Sequence, residues 1–382
     1  MKKMSSQVPN TRVNLLGKSA QELRAFLESL GEPGYRGAQI YHALYRERRF
    51  DFAAMTNLPA ALRERLAREA TIALPRIVRR HRSSDGTVRY VLALGADTGG
   101  AREGRAAEPA NIETVFMPED DRQTICLSTQ AGCAVDCRFC LTATLGLVRN
   151  LTPGEIVGQV LVALEDHRAA FQPPFASAQD KQTNIVLMGQ GEPLLNYDAV
   201  MAALRILLDP EGMAISPKHA TLSTSGIVPG IERLAQEKVR PKLAISLNAS
   251  SNEQRDQIMP INRRYPLENL LEACRKYPLR PWERLTFEYV LLGGVNDSAD
   301  DARRVARLVG GLRAKVNLIP WNPGVPQSGM PYAPPTPAAI EEFRSILAEK
   351  QVPVFVRYSR GQDIFAACGQ LAVIESGIET HA

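Results

Sequence analysis

The chain has 382 residues, of which 45% are hydrophobic and 23% charged, with a formal net charge of +5 and six cysteines. That length and balance describe a globular protein with one large domain and an accessory part. They exclude a disordered chain and a small disulfide-stapled one.

The mild basic excess permits a polyanionic partner without demonstrating one. No apolar run follows Met1-Lys2-Lys3, and none is long enough to span a bilayer. The expectation is a cytoplasmic protein without membrane contact, whose cysteines serve metal or redox chemistry rather than disulfides.

In chain order, residues 1–70 read as a helical accessory domain. Leu23, Phe26, Leu27 and Leu30 recur at helical spacing, and Ile40, Leu44 and Tyr45 do so after a break at 31–37. Leu62 and Leu66 continue the pattern after Pro59. Residues 71–118 read as a small β extension, clearest at 87–94 and 112–117, with 95–109 as a mobile loop. Arg76, Arg79, Arg80, His81, Arg82 and Arg89 crowd this segment, and Arg255, Arg263 and Arg264 form a smaller group. Solvated surface and nucleic-acid contact are both open readings for such groups.

Residues 119–360 form the core, where β-like runs alternate with helical stretches. The runs are 123–128, 184–188, 219–223, 242–247, 285–291 and 315–319. Helices are expected over 153–164, 197–208, 230–236, 267–277 and 299–312, and loops over 171–182 and 323–337. Six strands separated by helices predict right-handed βαβ units and a partial (β/α)6 barrel, with chemistry at the C-terminal strand ends. Cys133, Gly191-Glu192, Ser223, Asn248 and Asn322 fall at such ends. Residues 361–382 are a C-terminal segment containing Cys368.

The sharpest signal is Cys133-Ala-Val-Asp-Cys137-Arg-Phe-Cys140. Three thiolates this close can hold one iron–sulfur cluster, and a [4Fe–4S] cube so held keeps one iron open to a substrate. A structural zinc site would need a fourth nearby Cys or His, and none flanks the triad. In Asn184-Ile-Val-Leu-Met-Gly-Gln-Gly-Glu-Pro193, Gly189 and Gly191 permit close ligand approach and Glu192 can accept a hydrogen bond from an ammonium group. The third glycine of a dinucleotide fingerprint is replaced by Leu194.

The triad, including Phe139, resembles the CxxxCxxC signature of radical S-adenosylmethionine (SAM) enzymes. That resemblance implies an α/β partial barrel and reductive cleavage of SAM to methionine and a 5′-deoxyadenosyl radical. It also places Ser223, Ser246, Leu247, Asn248 and Asn322 with Gly191 and Glu192 around SAM. Over nearly its whole length the chain resembles the RlmN-type dual-specificity RNA (adenine-C2)-methyltransferases. The matching pieces include 112–118, 126–133, 189–196, 222–226, 245–248, 316–323 and 360–371.

That family implies an external flavodoxin- or ferredoxin-like electron donor, a monomer, two SAM molecules per turnover, and as substrates 23S rRNA and, in some members, adenine 37 of tRNA. It implies that Cys368 carries a methyl group as S-methylcysteine, that Cys126 resolves the RNA adduct through a transient disulfide with Cys368, and that Glu113 accepts a proton. The helical N-terminus and the 76–89 strip would hold RNA. Gln190, Asn248 and Ser359 stand where Met, His and Thr are usual. A C8-methylating 23S rRNA resistance enzyme and a non-catalytic iron–sulfur RNA-binding protein are the competing readings. Cys274, in an amphipathic helix pattern, reads as inert core.

Overall fold

The computed structural model describes residues 12–95, 109–170, 182–323 and 329–371. Its centre is a ten-stranded sheet: β1 (Arg76–Arg82), β2 (Val88–Leu94), β3 (Ala110–Pro118), β4 (Arg122–Cys126), β5 (Gln182–Leu187), β6 (Ala220–Thr224), β7 (Lys242–Ser246), β8 (Leu285–Leu291), β9 (Ala314–Pro320) and β10 (Val354–Val356). The spatial order follows the chain order from β1 to β10. Strands β1 to β4 pair antiparallel and β4 to β10 pair parallel.

Each parallel pair is joined by a helical crossover, as the geometry of parallel strands requires. The crossover helices are Pro153–Ala170, Tyr197–Leu208, Val228–Ala235, Leu267–Lys276, Ala299–Val309 and Pro337–Glu349. The six expected strands are therefore present as six β/α units. The sixth helix and the short β10 go beyond the sequence reading. So does β1, whose Arg-rich run lacks an apolar alternation; it forms because β2 offers it an edge, from Arg76 opposite Ala93 to Arg82 opposite Val88.

The expected N-terminal helices are Ala20–Ser29, Tyr35–Tyr45 and Ala60–Glu69. Ser19 and Glu22 close a capping box at the start of the first. Leu23, Leu27, Ile40, Leu44, Leu62 and Leu66 are buried in the same apolar cluster as the strands, so these helices share one continuous core with the sheet. The loop expected over 95–109 falls almost wholly outside the described residues, as does that over 171–182. Among the described residues no helix is long and apolar enough to cross a membrane.

Candidate active site

The parallel half of the sheet directs its C-terminal ends into one cavity of about 870 Å³, counting its open mouth. That lies in the usual size range of small-molecule sites. Its wall includes Cys133, Cys137 and Cys140, the Gly189, Gly191 and Glu192 loop, Ser223, Ser246 and Asn248, and Glu288 and Cys368. Residues from five strand ends and the C-terminal segment thus meet at one point, where α/β folds place ligands.

The cysteine loop is clasped by a hairpin. Gln130–Gly132 pairs antiparallel with Leu147–Asn150, and Cys133 to Cys140 run between them. Facing this loop, Gly191 adopts φ +96° and packs so closely on Gln130 that an added Cβ would lie 2.5 Å from the Gln130 Cβ. The Glu192 backbone N–H donates to Gln130 Oε1 at 2.9 Å, tying the two walls together.

The Glu192 carboxylate is buried on the cavity wall. It accepts from the Ser225 N–H at 2.7 Å, the Ser225 hydroxyl at 2.8 Å and the Leu194 N–H at 3.0 Å. Burial nevertheless pushes its acid up from the usual carboxylate value, against the lowering effect of these bonds. An ionised group short of solvent invites a cation from the cavity side. Asn248 holds φ +56°, a left-handed conformation that asparagine tolerates. Its Oδ1 accepts from the Val290 N–H at 2.9 Å, bridging β7 and β8.

Two expected SAM neighbours stand behind the wall. The Leu247 side chain lies fully in the core. The Asn322 amide donates to Ser359 Oγ at 2.8 Å and to the Pro320 carbonyl at 3.3 Å. Gln190 is buried and is likewise absent from the lining residues.

Cys368 arrives from the far end of the chain. The Leu141 N–H donates to the Gly369 carbonyl at 2.7 Å and Thr142 Oγ1 to the Leu371 carbonyl at 2.6 Å, stapling the C-terminal segment onto the cysteine loop. Solvent reaches the Cys368 residue, yet its thiol is sunk among protein atoms, and burial with the nearby Glu288 charge pushes it up to about 11. Cys126 ends β4, packed with Val115 and Leu371. Burial raises its thiol far above the ordinary range, and charge on Cys368 raises it further. All six cysteines are free thiols.

Glu113 does not line the cavity. It is fully buried on β3 and ion-paired with Arg89. It shares the β3 face of Val115, the residue in register with Cys126. Arg89 is therefore not part of an exposed basic strip, although Arg76, Arg79 and Arg82 are exposed and Arg80 pairs with Asp166 at 2.6 Å.

Residues 13–72 match the ribosomal RNA large subunit methyltransferase N-terminal domain, and residues 127–307 match the radical SAM superfamily. The chain is 47% identical over 352 residues to the dual-specificity RNA methyltransferase RlmN of Anaeromyxobacter dehalogenans, covering 92% of this chain and 90% of that one. The chain belongs to the RlmN family of dual-specificity RNA methyltransferases. The RlmN of Rhodospirillum rubrum is 48% identical over 360 residues, covering 94% of this chain and 80% of its own. The crystal structure of a radical SAM methyltransferase from Sphaerobacter thermophilus superposes with a TM-score of 0.83 at 44% identity, covering 94% of this chain and 99% of that one.

Radical SAM membership implies SAM and a [4Fe–4S] cluster. The RlmN-family residues here fit that demand. Burial raises all three cysteine thiols, Cys133 up to about 12, and cysteine thiolate is the usual ligand of an iron–sulfur cluster. Cys133, Cys137 and Cys140 all line the cavity that Gly191 and Glu192 also face. A zinc site draws its sulfurs to about 2.3 Å from one ion, whereas a four-iron cube offers each thiolate a different iron.

Three residues of this RlmN-family site escaped the sequence reading. Ser225 locks Glu192 and lies inside a matching segment, so a signal was present. Glu288 is a buried acid raised to about 6 by burial, offset by an Asn317 hydrogen bond at 3.0 Å. Its only local trace is a charge inside an apolar strand. Arg255 is the correction: grouped with Arg263 and Arg264 by sequence, it is fully buried while those two are exposed.

Proposed function

We propose that the chain methylates C2 of adenine in 23S rRNA, in the peptidyl-transferase region, and adenine 37 of tRNA. The observation that carries this reading is the meeting of Cys368 and the cysteine triad in one cavity, with Cys126 buried behind it near enough to feel charge on Cys368. Cys133, Cys137 and Cys140 would hold the cluster, with SAM against Gly191, Glu192, Ser223, Ser246 and Asn248, and with Leu247 and Asn322 behind them.

Adenine C2 lies between two ring nitrogens and is a poor nucleophile, so a SAM methyl cannot be passed to it directly. A covalent route splits the transfer into easier steps. Cys368 sulfur takes the methyl of a first SAM and releases its thiol proton, becoming S-methylcysteine. A [4Fe–4S] cluster held by Cys133, Cys137 and Cys140, with a flavodoxin- or ferredoxin-like protein as electron donor, would supply the one-electron cleavage of a second SAM, whose deoxyadenosyl fragment would take one hydrogen atom from this methyl. Cys368 then carries the methylene carbon onto C2 and is joined to RNA through it, and the unpaired electron of that adduct would pass back to the oxidised cluster. Glu113, ion-paired with Arg89 behind the cavity wall, is the proposed acceptor of the C2 proton. Cys126 thiolate bonds to Cys368 sulfur, the sulfur–carbon bond breaks with its electron pair going to the methylene carbon, that carbon takes up a proton to become the methyl group, and methylated RNA leaves; a two-electron reductant restores both thiols.

Arg76, Arg79 and Arg82 on the edge strand supply phosphate contacts, and the cavity receives one extruded adenine. The protein acts as a monomer in the cytoplasm, with residues 1–70, 71–118, 119–360 and 361–382 as its functional parts. The test is mass-spectrometric mapping of 23S rRNA fragments and tRNA incubated with anaerobically reconstituted protein, SAM and dithionite. 2-Methyladenine is expected. 8-Methyladenine would assign the chain to the resistance-enzyme reading, and no deoxyadenosine release would leave only an RNA-binding protein.

A further inference from the structure

Arg255 carries a positive charge behind the cavity wall, bonded to the carbonyls of the lining residues Ser225 and Ser246 and to no carboxylate. It sits in the short helix Asn252–Ile258 and is fully buried. Nε donates to the Leu247 carbonyl at 3.1 Å, and one terminal nitrogen donates to Asn262 Oδ1 at 3.1 Å. The other donates to the Ser225 carbonyl at 2.6 Å and the Ser246 carbonyl at 3.1 Å. All four acceptors are neutral. A buried cation is strongly unfavourable unless an anion answers it, and hydrogen bonds to carbonyls satisfy its protons but not its charge.

The missing anion lies on the triad side. The Arg138 N–H, next to Cys137, donates to the Ile258 carbonyl at 2.9 Å, so the cysteine loop rests on the C-terminal end of the Arg255 helix. Cys137 and Cys140 pack against Ile258 and Met259 there. Ser225 and Ser246, whose carbonyls hold Arg255, line the same cavity as Cys133, Cys137 and Cys140. Asp256 is a second nearby anion, but it is partly exposed, so solvent screens its effect on the Arg255 charge.

We infer that Arg255 is the buried counter-charge of the [4Fe–4S] cluster, a positioning residue that makes the cluster easier to reduce. The inference rests on the cluster proposed above. Reduction adds an electron to a centre already made anionic by three thiolates. A fixed cation in a water-poor site favours that step far more than one in solvent. The same guanidinium ties the ends of β6 and β7 together through Ser225, Ser246 and Leu247, so the charge is held rather than free to swing away.

The experiment is an EPR-monitored redox titration of anaerobically reconstituted protein, without RNA, comparing wild type with Arg255→Met and Arg255→Lys. At the wild-type midpoint, the Met variant should show a reduced-to-oxidised ratio at least tenfold lower, about 59 mV for a one-electron couple. The Lys variant, which keeps the charge, should stay within threefold. A Met variant with the wild-type midpoint overturns the role, and so does a Lys variant shifted tenfold. If the Met variant takes up no iron, the Lys variant decides alone by the same two limits. Wild-type protein without any cluster signal overturns both the cluster and this role, whereas a wild-type signal with an unmoved Met variant overturns only the role of Arg255.

Discussion

Replacing Gly191 with alanine should loosen both walls of the cavity, for two separable reasons. The first is backbone: φ +96° is a region that L side chains avoid, and forcing one there costs about 1–3 kcal/mol. The second is space: the new Cβ would stand 2.5 Å from Gln130 Cβ and 2.8 Å from Gln130 backbone N. Overpacking of that kind adds about 1–3 kcal/mol, so the sum is about 2–6 kcal/mol.

Gly146 provides the control. It also has positive φ, +62°, but nothing lies within 4 Å of its would-be Cβ, so Gly146→Ala should show only the backbone part, about 1–3 kcal/mol. Urea unfolding of the two cluster-free variants reads the difference from the midpoints. Relief of the clash must move Gln130, which holds the Glu192 N–H, so SAM binding by reconstituted Gly191→Ala should weaken at least about tenfold. Equal stability of the two variants, with unchanged SAM affinity, would refute the packing argument.

Cys126→Ala should accumulate RNA crosslinked to Cys368, visible as a gel-shifted species; free methylated product from that variant would remove the resolving role. Glu288 is raised from 4.5 to about 6, so its contribution to stability is full below about pH 4.5 and is lost as pH rises through about 6. Urea midpoints of cluster-free Glu288→Gln across that window should therefore lack a decline of about 2 kcal/mol seen in wild type; parallel profiles would contradict it. Arg89→Met strips buried Glu113 of its guanidinium partner and should destabilise the fold by about 3–5 kcal/mol in urea. Arg79→Ala should reduce the slope of log affinity against log salt for RNA by about 0.7–0.9, and an unchanged slope would take Arg79 off the phosphate path.

The family enters through short runs that act locally. The triad needs only three cysteines in one loop, and β5 to β9 announce themselves as apolar runs between helical stretches, so both are written in neighbouring residues. Strand β1 is not: Arg-Ile-Val-Arg-Arg-His-Arg has no buried face of its own and becomes a strand because β2 pairs with it. The same limit explains the site. Arg255 looks like its neighbours Arg263 and Arg264 until the ends of β6 and β7 close over it, and the bond from the Asn322 amide to Ser359 joins residues far apart in the chain. Glu192 was legible as an acid after two glycines, but not as one already held by Ser225. Element type follows from side chains within a turn or two along the chain, whereas burial and electrostatic partnership depend on residues far away in sequence. The sequence alone therefore determined strands β2 to β9, the cysteine triad and the family. Only the tertiary structure decided which charges lie in water, which lie buried, and which cysteines meet.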